Sequence, residues 1–350
     1  MSATATSPAW WEPAIDRGLV PDAVLRRVIT ARVLRKVAHE RRGTVDERSE
    51  RLREFVEARS KGPVTVFADA ANRQHYEVPT AFFQTVLGPR LKYSSAIWPD
   101  GVDDLAAAED ATLELSATRA ELADGQRVLD LGCGWGSFSL WLAERHPRSE
   151  IVAVSNSATQ RAHIEAEATQ QGLANLSVVT ADVAEFEPDG TFDRVVSVEM
   201  FEHVSNHAEL TSRIARWLAP DGRLFVHIFS HRDMVWAFDA DSSNDWMGRY
   251  FFSGGVMPSD DLLPSVVTDL GLVDHWRHSG RHYERTLNAW LARLDRHRDQ
   301  VMPILVDTYG ATEAEAWFHR WRVFFMASAQ LWGARRGNEF LVSHYLFARR

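Results

Sequence analysis

Residues 128–136 read Val-Leu-Asp-Leu-Gly-Cys-Gly-Trp-Gly, and this stretch is the clearest indication of the fold class. It predicts a short strand that ends in three closely spaced glycines, followed by a helix from Ser137. Glycine lets the backbone turn sharply and approach a ligand closely. The spacing is not that of a GxGxxG loop, because the third glycine comes one residue early, and the Lys-Ser/Thr ending of a P-loop is missing. Since open α/β sheets bind ligands at the carboxyl ends of their strands, we predict a ligand site here.

Strands and helices alternate from Arg127 to about residue 230. The predicted strands are Arg127–Leu131, Glu150–Val154, Leu176–Thr180, Arg194–Val198 and Gly222–Phe229. The predicted helices between them are about Ser137–Arg145, Thr159–Gln171 and Ala208–Leu218. Such alternation, with strands rich in Val, Leu and Ile, indicates an α/β fold whose parallel sheet is covered on both faces. Right-handed crossovers make the sheet doubly wound.

Three segments are expected along the chain. They are a helical N-terminal extension at 1–62, a cap on the substrate side at 63–126, and a core at 127–350 with helical inserts at about 231–258 and 284–335. A long helix is predicted at about Asp104–Leu122, and further candidate strands lie at Leu272–His278 and Glu339–Ala348. The extension carries seven basic residues and one acidic residue between Arg26 and Arg42. This pattern fits a solvated helix face or a peripheral contact with an anionic membrane.

Composition narrows the function classes. The 350-residue chain has a net charge of −9, which argues against a nucleic-acid partner. No apolar run approaches the length of a bilayer span. Cys133 is the single cysteine, so the chain forms no intrachain disulfide, which suits the cytoplasm. No residue cluster has metal-ligand spacing, so we expect no metal, and the sequence leaves a homodimer open.

A second chemical signal follows the fourth predicted strand, where residues 199–203 read Glu-Met-Phe-Glu-His. Glu202 and His203 are adjacent at a strand-to-helix turn, so both can face the ligand cleft. The structural alternative is a helix N-terminus whose acidic residues favour the helix dipole. His227, in the fifth predicted strand, faces either the sheet interior or the pocket.

The glycine loop resembles motif I of class I S-adenosylmethionine (SAM) methyltransferases. The chain as a whole resembles the coclaurine N-methyltransferase group, which is allied to cyclopropane fatty-acid synthases. Stretches that carry this resemblance include Leu91-Lys92-Tyr93-Ser94, Val154-Ser155-Asn156-Ser157, Glu199-Met200-Phe201-Glu202-His203, Arg249-Tyr250-Phe251-Phe252 and Val342-Ser343-His344. The resemblance implies a Rossmann-like fold and SAM as the cofactor, with S-adenosylhomocysteine (SAH) as its product.

The resemblance also implies roles for individual residues. It implies SAM contacts from Tyr93, Ser94, Gly132, Gly134, Asn156, Gln160, Asp182 and Val183. Many such enzymes place Asp or Glu on the ribose, whereas Asn156 and Gln160 would be uncharged partners here. It implies that Glu202 and His203 act on a small-molecule amine as the catalytic pair. The residues expected around the substrate are Glu77, Trp98, Glu199, Phe201, His227 and Tyr283.

A second activity remains open at this point. In the cyclopropane branch a Glu, a His, an Ile, a Tyr and a Cys hold a bicarbonate base. His227, Ile228 and Tyr283 match that set, but Ser95 stands at the Cys position. We therefore favour N-methylation of a small cyclic or aromatic amine, with C-methylation or cyclopropanation of an unsaturated acyl chain or other alkene as the alternative. A SAM-binding sensor without activity is a third interpretation, which Glu202 and His203 argue against.

Overall fold

The structure is a computed structural model that describes residues 9–65, 78–238, 246–251 and 255–350. Within these ranges, one sheet has seven strands in the order β3-β2-β1-β4-β5-β9-β8. Its strands are β1 (Arg127–Leu131), β2 (Glu150–Ser155), β3 (Leu176–Thr180), β4 (Phe192–Val198), β5 (Leu218–His231), β8 (Leu270–Ser279) and β9 (Phe340–Arg349). A separate ribbon pairs β6 (Trp236–Ala237) with β7 (Val256–Met257).

The sheet is parallel from β3 to β5 and antiparallel beyond it. The parallel prediction is therefore correct for the first five strands, but β9 runs against both β5 and β8, so the complete sheet is mixed. In this register His344 of β9 lies between His227 of β5 and Trp276 of β8. The predicted α/β fold is confirmed.

Helices cover the sheet and extend beyond one edge of it. Before β1 they are α1 (Glu12–Asp16), α2 (Asp22–Glu40), α3 (Val45–Ser60), α4 (Thr80–Val86) and α5 (Leu105–Arg119). Between β1 and β5 they are α6 (Ser137–Arg145), α7 (Ala158–Gln171), a 3₁₀ turn (Phe201–His203) and α8 (His207–Trp217). The later ones are α9 (Trp246–Tyr250), α10 (Leu262–Val266), α11 (Arg281–Arg296), α12 (Arg298–Tyr309), α13 (Ala314–Trp332) and the short α14 (Ala334–Gly337). Each helix or strand predicted above is present, and its ends differ by up to four residues.

The basic helix α2 is attached to the C-terminal part of the chain. Arg26 donates to Oδ1 of Asn288 at 2.9 Å, and Thr30 donates to Oε1 of Gln330 at 2.8 Å. Arg41 pairs with the fully buried Glu339 at 2.6 Å. Some of the basic side chains thus make internal contacts rather than forming one solvated face. Within the described ranges, no helix has the length and apolar character needed to cross a bilayer.

Candidate functional site

A cavity of about 480 Å³ opens at the carboxyl ends of the parallel strands. It brings together most of the residues predicted for the site. Those on its wall are Tyr93, Ser94, Gly132, Gly134, Asn156, Gln160, Asp182, Val183, Glu199, Glu202, His203 and Tyr283. The residues predicted for the cofactor and those predicted for the chemistry therefore share one space.

The glycine loop forms the floor of the cofactor side. The amides of Gly132 and Cys133 both donate to the carbonyl of Val154, at 3.0 and 2.9 Å, which ties β1 to the end of β2. Gly132 has a φ of +85°, and a Cβ there would lie 2.5 Å from Cγ of Met200. A side chain at this position would therefore be strained and would collide with Met200, which directly precedes Phe201, Glu202 and His203.

Polar groups follow β2 and β3 on the same side. Oε1 of Gln160 accepts from the Ser155 hydroxyl at 2.6 Å, while its Nε2 is buried with no partner among the described residues. This buried amide can donate a hydrogen bond to an acceptor on a ligand in the cavity. Asp182 accepts from the Ala184 amide at 2.8 Å and retains acceptor capacity towards the cavity.

Lys92 and Asp130 also line the cavity, and our sequence analysis missed both. Nζ of Lys92 donates to the Ser94 hydroxyl and to the Ser95 carbonyl, each at 2.6 Å, so it fixes the Ser94 side chain. Burial lowers the pKa of Lys92 to about 8 and raises that of Asp130 to about 6. For Asp130 the available signal was a charged residue inside the apolar strand at 128–131.

Glu199 is the most strongly bound carboxylate of the site. The Ser95 amide donates to Oε1 at 2.9 Å, His227 Nε2 contacts the same oxygen at 3.3 Å, and the Tyr283 hydroxyl donates to Oε2 at 2.6 Å. Its φ of +46° is rare for a residue with a side chain, and such strain costs about 1–3 kcal/mol. Burial raises the pKa of Glu199, but the hydrogen bonds from His227 and Tyr283 and the positive charge of Lys92 outweigh it, so the pKa lies below its usual value.

Glu202 and His203 lie in the 3₁₀ turn after β4 and face the same cavity. Oε2 of Glu202 is buried with no hydrogen-bond partner among the described residues. Burial and the charge of Glu199 raise the pKa of Glu202 well above its usual value. Burial lowers the pKa of His203 to about 4. At neutral pH the site therefore holds an ionised Glu199 and a neutral His203, while Glu202 keeps its proton to a higher pH than an ordinary glutamic acid does.

Three predicted residues, Trp98, Phe201 and His227, do not line the cavity. Trp98 is buried behind the wall, where its Nε1 donates to the Thr286 hydroxyl at 3.0 Å. Phe201 packs in the core beneath the sheet, and His227 reaches the site only through Glu199. None of these three residues forms part of the cavity wall. Glu77 lies outside the described residues.

Apolar side chains from distant segments close the other side of the cavity. They are Phe229, Trp236, Phe238, Met247, Met257, Leu287, Trp290, Phe324, Leu331 and Trp332. Trp332 stacks on Tyr283 with ring centres 4.9 Å apart. Most of these residues come from the aromatic-rich inserts predicted at about 231–258 and 284–335. The result is an apolar chamber with two acidic side chains, Glu199 and Glu202, at its inner end.

Comparisons with known proteins agree with this architecture. A family model described as mycolic acid cyclopropane synthetase matches residues 67–336. The (S)-coclaurine N-methyltransferase of Thalictrum flavum subsp. glaucum is 33% identical over 96% of this chain and 94% of its own. The cyclopropane-fatty-acyl-phospholipid synthase of Escherichia coli (strain K12) is 31% identical, over 63% of this chain and 56% of its own.

Among solved structures, a coclaurine N-methyltransferase bound to N-methylheliamine and SAH aligns with a TM-score of 0.92 and 31% identity. The alignment covers 96% of this chain and 98% of that one. The expectation of a SAM-dependent methyltransferase is thereby confirmed. The chain belongs to the mycolic acid cyclopropane synthetase family and has the fold of its class I SAM-dependent methyltransferases.

Proposed function

We propose that the protein transfers a methyl group from SAM to the nitrogen of a small cyclic or aromatic amine. The observation that carries this proposal is the ionised Glu199 at the inner end of an apolar chamber, beside Glu202, whose Oε2 has no hydrogen-bond partner among the described residues. A flat, hydrophobic amine matches that chamber, because its rings suit the aromatic wall and its ammonium suits the carboxylate.

The cofactor side fits SAM on three observations. Nε2 of Gln160 offers an unpaired donor, Asp182 offers an acceptor, and Gly132 and Gly134 leave room for backbone contact. Tyr93, Ser94, Asn156 and Val183 complete the proposed set. When bound, SAM supplies an electrophilic methyl group. The protein then needs only to align the nitrogen and exclude water.

Amine deprotonation is the main chemical task left to the side chains. A secondary amine with a pKa near 10 is mostly protonated at pH 7, and removing the proton costs about 4 kcal/mol. We propose that Glu199 holds the ammonium. Glu202 and His203 then form the acid–base pair. Burial raises the pKa of Glu202 and lowers that of His203, while the negative charge of Glu199 favours the protonated form of both. A cation in the chamber lowers the pKa of Glu202, so either a Glu202 carboxylate or the neutral His203 accepts the proton that the ammonium gives up.

Alkene alkylation is the second candidate, and the family match and the E. coli relative favour it. It would require His227 and Tyr283 to bind an exogenous anion. In this structure both side chains contact the carboxylate of Glu199, and Ser95 contributes its amide to the same group. The chain's own anion thus takes the donors that a bicarbonate would need, which favours the amine.

The test is a methyl-transfer assay with labelled SAM. The purified protein is offered tetrahydroisoquinolines and other cyclic amines beside vesicles of unsaturated phospholipid, with products identified by mass. A gain of 14 mass units on an amine, with the lipid unchanged and no response to bicarbonate, supports the proposal. Label in the lipid, with every amine unchanged, would establish the alkene activity instead.

We further propose the three-segment division into a helical extension at 1–62, a cap on the substrate side at 63–126 and a core at 127–350. The contacts of α2 with the C-terminal helices support it. We also propose a cytoplasmic location, peripheral contact with anionic membranes through α2, and a homodimer. Light scattering and co-sedimentation with anionic vesicles test the last two.

A further inference from the structure

Three side chains connect the active-site carboxylate to the end of α5. Nη1 of Arg119 lies 2.7 Å from Nδ1 of His344, whose Nε2 lies 2.9 Å from Nδ1 of His227. Nε2 of His227 lies 3.3 Å from Oε1 of Glu199. His227 and His344 are fully buried on neighbouring strands. We call this chain of four residues the relay.

The direction of every hydrogen bond in the relay follows from its first member. Arg119 keeps its charge at neutral pH, although burial lowers its pKa to about 10, and a guanidinium only donates. Nδ1 of His344 must therefore accept. Burial keeps both imidazoles neutral by lowering their pKa values, so the single proton of His344 lies on Nε2. By the same argument the proton of His227 lies on Nε2 and points at Glu199.

We infer that Arg119 is a positioning residue for the amine site: through His344 it fixes which nitrogen of His227 carries the proton, and so it holds Glu199 as a hydrogen-bond acceptor. The inference rests on the proposed function, in which Glu199 binds the substrate cation. With the other tautomer, His227 would present a lone pair to Glu199, and the carboxylate would lose a donor. Arg119 thus acts on the amine site across two intervening imidazoles.

The relay also has a consequence for the proton that the amine loses. Each relay donor already holds its proton on the side facing Glu199. The relay therefore cannot accept a proton from that carboxylate unless every tautomer reverses, which the guanidinium opposes. The amine proton must leave through the side of the site that holds Glu202 and His203.

Other charged and titratable groups face the relay, and their effects must be distinguished from those of the relay itself. Lys92 and Tyr283 lie at the Glu199 end. Asp274, His278 and His282 lie near Arg119 and its imidazole partners. His278 is a useful control, because its Nε2 lies 2.6 Å from the same Nη1 of Arg119 but does not lead to Glu199.

The test compares His344→Phe, His344→Gln and the control His278→Phe. A glutamine can accept from Arg119 with its oxygen and donate to His227 with its amide, whereas phenylalanine can do neither. Two measurements are made: the His227 tautomer by nitrogen-15 NMR of selectively labelled histidines, and the affinity for the unreactive cation benzyltrimethylammonium by calorimetry. Neither depends on methyl transfer.

We expect His344→Phe to shift the His227 signal away from the Nε2–H tautomer and to weaken the cation about tenfold. His344→Gln should restore the signal and keep the affinity within about threefold, and His278→Phe should match the wild type. If His344→Phe does not fold, Arg119→Met is expected to shift the tautomer in the same direction. A folded His344→Phe or Arg119→Met with the wild-type tautomer and affinity would overturn the inference. Failure to methylate any amine, with the relay signals intact, would count against the proposed function alone.

Discussion

The cofactor side of the cavity is built from consecutive strand ends, whereas the substrate side is assembled from segments far apart in the chain. Gly132, Gly134, Asn156 and Asp182 each follow the parallel strand that positions them. Glu199 instead takes its donors from residues 95, 227 and 283. A strand and its following loop fix a cofactor group locally, but the electrostatics of the substrate side depend on tertiary packing.

Loss of Glu202 should have the largest effect on turnover. We expect Glu202→Gln to lower kcat about 100-fold or more, because general acid–base groups contribute on this scale. Binding of SAH, which the cofactor side controls, should change little. Glu209→Gln, on the exposed face of α8, is the matched control and should retain wild-type turnover. The measurements are steady-state rates and calorimetry of SAH binding. Near wild-type turnover of Glu202→Gln would refute the acid–base role of Glu202.

Gly132→Ala should lower the affinity for SAH about tenfold or more. The new Cβ would lie 2.5 Å from Met200 at a left-handed φ, so the loop must move. Gly125→Ala supplies the control, because its φ is +97° and nothing lies within 4 Å of an added Cβ. That variant carries the backbone strain of about 1 kcal/mol without the collision. Equal SAH affinities in the two variants would show that the glycine loop does not contribute to the cofactor site.

Tyr283→Phe tests the substrate side by removing one donor to Glu199. We expect KM for the amine to rise about five- to tenfold with a smaller change in SAH affinity, since a hydrogen bond to a charged group is lost. Tyr309→Phe, on a ring that stacks against Trp317, should leave KM unchanged. A rise in KM for SAM alone would place Tyr283 on the cofactor side instead.

The smallest effect concerns stability in acid. Burial lowers the pKa of His207 to about 4, below that of an unfolded histidine near 6.5. The unfolded chain therefore binds more protons between these values, so this group weakens the fold as pH falls from 6.5 towards 4, by at most about 1.4 kcal/mol per pH unit. His207→Gln should reduce this slope in thermal melts, whereas His39→Gln, at an exposed position, should not. Identical slopes in both variants would contradict the expectation.

The sequence alone determined the α/β class, the strand at the glycine loop and the family. Periodicity and turn glycines are local, so β1, β3 and α6 were located with both ends correct. The family resemblance also named the residues proposed for the cofactor that line the cavity, and Gly132, Asn156 and Asp182 among them directly follow or lie close to strand ends. The antiparallel course of β9 had no local signal, since strand direction depends on which neighbour the strand joins.

The difference between the two acids of the site arises from tertiary packing. Glu199 and Glu202 are three residues apart and chemically identical, so no pattern separates them. Their pKa values move in opposite directions because Glu199 meets donors from three distant segments, while Glu202 is buried beside the resulting charge. The same physical reason kept the contact between His227 and His344 hidden. Desolvation and hydrogen bonding depend on which residues the fold brings together, and the sequence specifies that only through the completed fold.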